Sequence, residues 1–372
     1  MSRPQIIVNV APALQRRGVV TDTGIAFLVY AGASGPSTPT RCLSAADALA
    51  ASVPAGQAAW VGDALTQGAP VVYVLRAAAA NAAAVTESEW DAALAKLTVD
   101  LGPGQVLIPG VATSAAYEAL LTHANATGRT VLLDGASNAS ASTLTTAAAG
   151  LAAADGAERA ALIAGWATVP ATGGGTRDIP GSVIAAGLAA RGDARVGHTN
   201  HAPILTHDGG AGVVVGGTAV TTAYTDAETD SLSAAGVSAI RMVLGRPTLV
   251  DWKSISDDDN FRQLNWGRTH MLLKNGVSAL MLDFLGRQID GRGQLFAELD
   301  GALRGYLLPL WQASALYGQE PVDAFDVDAY SPNTPTTIQD GELHAQVEVS
   351  LSPFTEKVVI DVTTTVAEGV AA

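Results

Sequence analysis

The sequence predicts an α/β fold built on a parallel sheet, followed by an α+β region and carrying extended strand arms at both ends. Three observations lead there. From residue 25 to 191, strand-type and helix-type segments alternate, which is the pattern of a parallel sheet covered by helices on both faces. The first of these strands, IAFLVYAG over 25–32, is an unbroken apolar run, as expected of a strand buried on both sides. Near Asp257 the alternation stops, and two long helical stretches and two strands of clean two-residue period follow.

Taken in order, residues 4–10 read as a short strand in which Ile6, Val8 and Val10 share a face. A segment containing proline and two arginines separates it from the strand at 25–32. Ser44 is a good N-cap for a helix over 44–53, and a second helix covers 57–67. A strand returns at 70–76. Thr86 and Glu89 form a capping box that opens a helix over 86–101. Strands at 105–109, 130–134 and 160–166 then alternate with helices at 113–126 and 142–154. The helix at 180–191 carries a proline at its start. Residues 205–235 are rich in Gly, Thr and Val and read as short strands or a loop on one edge. A strand follows at 237–244. Helices are expected at about 259–275, behind an acidic cluster suited to a helix N-terminus, and at about 293–317. The strands at 344–351 and 356–363 alternate cleanly. In the second, Val358, Ile360 and Val362 share a face.

Composition narrows the function classes. The 372 residues suit two or three compact units, or one large one with insertions, and are ample for a real core. With 48% apolar and 15% charged residues, bulk disorder is not expected. The formal net charge of −14 and the absence of any basic run argue against a nucleic-acid binder. A single cysteine, Cys42, rules out an intrachain disulfide and reads as a small core residue. No apolar run approaches the ~18 residues of a membrane span. The first apolar stretch is short for a signal peptide, so assembly in a reducing cytoplasm is expected.

Catalytic patterns are missing: the sequence has no Walker A loop, no HExxH, no GxGxxG between strand and helix, and no GxSxG elbow. One cluster invites chemistry. His198, His201 and His207, with Asp208, place half of the chain's six histidines within ten residues. The spacing matches no standard zinc pattern. Two readings stay open for it: a metal or catalytic site, the latter of α/β hydrolase type, or a loop whose histidines hydrogen-bond or face water. The expectation adopted is no catalytic residue, no cofactor and no metal.

Several blocks, in order, resemble the contractile phage tail sheath family, which includes the sheaths of phage-like contractile injection systems. IAFLVYAGASGPSTPTRCLSAADALA resembles its opening block, and AWVGDALTQGAPVVYVLRAA the following helix, Gly turn and strand. VLLDGASNAS, with a strand ending in Trp166, resembles its aspartate-then-tryptophan spacing. IPGSVIAAGLAARGDARVGHTNHAPI resembles a block in which Pro180, Ala186, Gly187, Arg191, Asp193, Gly197, Ala202 and Pro203 fall in order. NFRQLNWGRTHMLL and GELHAQVEVSLSPFTEKVVIDVTTTV resemble the start and the closing strands of its C-terminal domain. The family's N-terminal Pro-Gly-Val-Tyr is absent here, and its Phe-x-Pro-Asn segment appears only as MLDFLGRQ.

The resemblance implies an N-terminal arm (1–20), an outer α/β region (21–255) with a subtilisin-like part at about 86–250, an inner α+β domain (256–354) and a C-terminal arm (355–372). It implies a structural subunit, not an enzyme, that polymerises helically around an inner tube and contracts to drive the tube through a host envelope during genome or effector delivery. Its partners would be copies of itself, the inner tail tube protein, and baseplate and tail terminator proteins, with no nucleic acid and no membrane insertion. Its location would be the virion tail sheath. Ile6, Val8, Val10, Val358, Ile360 and Val362 would add strands to neighbouring subunits. By residue pattern alone, both terminal strands pair equally well within their own chain. Arg287, Arg292 and Arg304 would face an acidic tube, or serve as ordinary surface arginines. A different phage shell or scaffold protein is the other alternative.

Overall fold

The computed structural model describes residues 23–77, 81–204 and 212–356. The arm positions Ile6, Val8, Val10, Val358, Ile360 and Val362 lie outside the described residues, as do His207 and Asp208.

Eight strands form the central sheet: β1 (Ala26–Ala31), β2 (Thr40–Cys42), β3 (Val72–Ala77), β4 (Gln105–Leu107), β5 (Thr130–Asp134), β6 (Ala160–Ala164), β10 (Val237–Val243) and β11 (Arg246–Leu249). Their spatial order is β11-β10-β6-β5-β4-β1-β3-β2. The six inner strands run parallel, and β2 and β11 close the two edges antiparallel. β1 shows why the run at 25–32 is apolar throughout. Phe27 and Val29 enter one core and Ala26, Leu28 and Tyr30 the other, so both faces of the strand are buried.

The first core takes Trp90 of α3 (Glu87–Leu94), Tyr117 and Leu120 of α4 (Ser114–Thr127), Leu144 of α5 (Ala141–Leu151) and Leu232 of α7 (Asp226–Ala234). The second takes Ala48 of α1 (Ala45–Ala50), Val61 of α2 (Ala55–Gln67) and Ile184 and Leu188 of α6 (Gly181–Val196). α2 and α6 approach closely because Gly187 has no side chain. A Cβ there would lie 2.2 Å from the Gln67 Cβ and 2.8 Å from the Ala64 carbonyl oxygen. Gly187→Ala is therefore expected to destabilise the fold by about 1–3 kcal/mol through overpacking. Gly301→Ala, where a Cβ meets nothing within 4 Å, is expected to be neutral or slightly stabilising; urea unfolding compares the two.

A third core lies in the C-terminal region. Leu272 of α8 (Leu264–Met281) packs with Leu299, Leu303, Leu307 and Leu310 of α9 (Gln294–Gln312) and with Phe325 and Val327 of β12 (Phe325–Asp328). β12 pairs antiparallel with β13 (Gln346–Val349). α8 is shared between cores, since its first residue Leu264 belongs to the second.

Some expectations shift. α3 stops at Leu94 rather than running to 101: the chain tightens there, with Lys96 N–H on Ala93 O and Leu97 N–H on Leu94 O, and only a short 3-10 turn follows at Val99–Leu101. Past its end the buried Arg129 guanidinium holds the chain. It donates to Leu97 O at 2.6 Å, to Thr98 O at 2.7 Å and to Gly102 O at 2.7 Å, and lies 4.4 Å over the Phe27 ring. α9 ends at Gln312, before a Ser314 held at φ +65°. α8 begins at Leu264 rather than 259 and runs on to Met281. Within 205–235, a strand β9 (Ala219–Val220) fits the expectation, but α7 was not expected. Its signal was readable, as Thr225 and Glu228 form a capping box. β9 joins a hairpin of β7 (Ala167–Pro170) and β8 (Thr176–Ile179) in a three-stranded antiparallel sheet. Gly173, Gly174 and Gly175 turn that hairpin, all at positive φ.

Candidate functional site

In a sheet wound this way, a ligand crevice is expected beyond the carboxyl ends of the strands, where the strand order reverses beside β1. Bulky rings crowd that end. A Cβ on Gly110, just after β4, would lie 3.3 Å from the Trp166 ring and 3.6 Å from the Trp60 ring. Behind them, Asp134 at the end of β5 is 1% exposed. One of its carboxylate oxygens accepts the Gly110 N–H at 2.8 Å and the Ser182 hydroxyl at 2.7 Å, and the other accepts the Ser182 N–H at 2.7 Å. Burial pushes its pKa up to about 6 against those bonds. Ser182 is fully buried at the start of α6. This pair ties a helix N-terminus to the sheet; it offers no exposed nucleophile.

The histidine cluster resolves into a buried clasp. His201 Nε2 is 2.7 Å from Asp193 Oδ1. The same carboxylate takes both arms of the Arg268 guanidinium, at 3.0 and 2.6 Å, and the Thr23 hydroxyl at 2.7 Å. Arg268, from α8, has no exposed side-chain surface. Burial alone raises the Asp193 carboxyl, but Arg268 and His201 reverse the effect and hold it below its ordinary range. His198 Nε2 donates to the Ala313 carbonyl at 2.9 Å, and burial pushes its pKa down, so the ring is neutral near pH 7. Between the two histidines, Asn200 donates to the carbonyls of Ala315 and Ser352 and accepts from Asn265. The partners of both imidazoles are a carbonyl and an already neutralised carboxylate. Among the described residues, no group of three or more His, Cys, Asp or Glu is placed to hold a metal ion.

Both ends of the described chain converge on this clasp. Thr23, at the root of the N-terminal segment, bonds Asp193, while Ser352, at the root of the C-terminal segment, bonds Asn200. The C-terminal root is fixed further along. Gln263 exchanges hydrogen bonds with Phe354, its amide oxygen accepting the Phe354 N–H at 3.2 Å. Glu356 takes the Gln263 amide at 2.8 Å and the Lys253 ammonium at 2.6 Å.

The small sheet leaves one edge open. Ser350 N–H reaches Ala324 O, and Ser350 O accepts from Tyr317 N–H. By the alternation of antiparallel pairing, the backbone groups of Val347, Val349 and Leu351 then point away from β12. Among the described residues they make no backbone hydrogen bond. A two-stranded sheet is marginal alone, and such an edge invites another strand.

The three arginines each have an acidic neighbour within the chain. Arg287 pairs with Glu298, Arg292 with Asp290 at 3.6 Å, and Arg304 with Asp300 at 2.9 Å and Asp326 at 3.5 Å. Arg304 also donates to Val327 O, on the outer side of β12, at 2.6 Å. Sequence reasoning singled out Asp193 but missed its partner Arg268, as well as Lys253, Gln263 and Asn265. The one local signal was an arginine set within an otherwise buried stretch of α8.

No family model and no curated protein matches this sequence. Solved structures do match, over nearly the whole chain. A chain of the anti-feeding prophage baseplate in its contracted state aligns with a TM-score of 0.76 at 18% identity, covering 99% of this chain and 100% of that one. The sheath complex of PVC, an extracellular contractile injection system, in its contracted state gives 0.74 at 17%, covering 98% of each. A sheath tail protein of Desulfitobacterium hafniense gives 0.61 at 12%, covering 87% of this chain and 93% of that one. The architecture is a mixed α/β one with a mostly parallel central sheet and smaller antiparallel sheets. It is the fold of contractile tail sheath proteins.

Proposed function

We propose that this chain is the structural subunit of a contractile tail sheath and not an enzyme. It polymerises helically around an inner tube, and its contraction drives the tube through a host envelope to deliver a genome or effectors. The observation that carries the reading is the whole-length match of fold to contracted sheath assemblies. Two features of the chain support it. Both terminal segments leave from one buried clasp, and a two-stranded sheet with an open edge lies in the same region. Arms from neighbouring copies, carrying Ile6, Val8 and Val10 at one end and Val358, Ile360 and Val362 at the other, would complete that sheet by strand addition. The contact is head to tail and does not close, so it builds a helix of subunits.

In this reading residues 21–255 form the outer body, with a subtilisin-like part at about 86–250, and 256–354 the inner domain. The run of parallel strands β4, β5, β6 and β10 supports the former. Arg287 and Arg292 face the tube, whereas Arg304, grouped with them by sequence, is held by Asp300, Asp326 and the Val327 carbonyl and lines a groove beside residues 320–325. Each such exposed contact is worth only about 0.2–1 kcal/mol, so repetition around the ring supplies the avidity. Baseplate and tail terminator proteins cap the polymer, which assembles in the host cytoplasm. Negative-stain electron microscopy of the full chain at high concentration tests the proposal. Striated hollow tubes are expected, and closed shells or sheets would point to a different scaffold protein.

A further inference from the structure

The hairpin joining β10 and β11 is built against two local preferences at once. Its two-residue loop is Leu244–Gly245, both at positive φ, +49° and +78°. That is the geometry of a type I′ turn, whose first position favours Asn, Asp or Gly because a larger side chain crowds the backbone there. Leucine occupies it, and its side chain is 90% exposed. Met242 (40% exposed) and Val215 (44% exposed) lie on the same rim, joined through Pro247, which pairs with Met242 in the hairpin and accepts the Val214 N–H. Arg246 flanks the tip and is exposed. A strained turn that displays an apolar side chain is unfavourable for the isolated fold, and a contact covering that tip would offset it.

The same chain carries a complementary surface. A groove of about 460 Å³ lies between α9 and the short helix α10 (Pro321–Ala324), lined by Leu308, Val322 and Phe325. Leu308 is 37% and Val322 72% exposed. Arg304 on its wall is neutralised by Asp300 and Asp326, so Glu320 leaves the lining acidic.

We infer that the Leu244 tip of one copy docks into the groove between α9 and α10 of a second copy, with Arg246 against its acidic lining. The inference rests on the sheath reading and deepens it by naming a contact apart from the arms. Knob and groove are different surfaces, so the contact is head to tail, and in an open helical polymer it repeats from copy to copy. One such contact is far smaller than a standard interface and acts only through repetition in a polymer.

Two variants of the full-length chain test it. Leu244→Asn puts a residue suited to positive φ at the turn and removes the apolar knob. It is expected to raise the melting temperature of the unassembled protein by about 2 °C. It is also expected to raise the concentration needed for tube formation at least about tenfold. The double variant Leu244→Cys/Val322→Cys, treated with a short bis-maleimide in assembled tubes, is expected to give a ladder of multimers that neither single variant gives; the native Cys42 is fully buried. If wild type forms tubes, while Leu244→Asn forms them equally well and the double variant gives no ladder, the docking is overturned and the sheath reading stands. If wild type forms no polymer of any kind, the sheath reading falls and the docking with it.

Discussion

Arg268→Ala is expected to destabilise the protein by about 3–5 kcal/mol, because it strands a buried carboxylate. Asp193 would keep only His201 and Thr23 as partners, in a place where its side chain is 10% exposed. Arg268→Lys is expected to recover part of the loss, since an ammonium restores the charge but not the two parallel hydrogen bonds. The pH dependence has a definite sign. The folded Asp193 carboxyl lies below its ordinary value, so its contribution is full above the unfolded carboxylate range, about pH 4, and drains away as pH falls through the folded value. In Arg268→Ala the acid limb of the stability curve is expected to move to higher pH. Urea unfolding of both proteins between pH 3 and 7 reads this directly. Equal acid limbs would mean that the pair contributes packing alone.

Deleting residues 357–372 is expected to abolish tube formation while leaving the monomer folded. The cut falls after Glu356, so the Lys253 and Gln263 contacts that dock the C-terminal root are retained. Its melting temperature is expected to stay within about 2 °C of wild type. Deleting residues 1–12 is expected to act alike, as Thr23 remains on Asp193. Val347→Pro is the complementary change. It removes an outward N–H from the open edge of β13 while leaving the pairing with β12 in place. It should block assembly without unfolding the protein. Tubes formed normally by all three variants would show that strand addition does not join the subunits.

The central sheet was legible in the sequence because its inner strands are buried on both faces. Runs such as 130–134 and 160–164 admit little else. Boundaries failed where a distant side chain decided them. α3 ends at Leu94, and the chain just beyond it is held by Arg129 from over thirty residues away, which nothing near residue 95 announces. The hairpin of β7 and β8 was not foreseen, since a proline and three consecutive glycines interrupt its strand pattern. The histidine cluster attracted attention through spacing, yet the structure gives His201 a place beside an aspartate eight residues away and an arginine from α8. No local pattern encodes a partner that far along the chain. The open edge of β13 was half visible: its alternation predicted the strand, whereas its intrachain partner, β12, was not foreseen.

Thr23, Asp193, His201, Asn200 and Ser352 follow one another in a short line of side-chain contacts and neighbouring residues. Thr23 leads at once into β1, and Asp193 belongs to α6, which packs on the sheet, so a pull on the N-terminal segment reaches the C-terminal segment across that line as well as through the sheet. If copies join segment to segment, as proposed, each clasp is a direct mechanical link between one arm and the next.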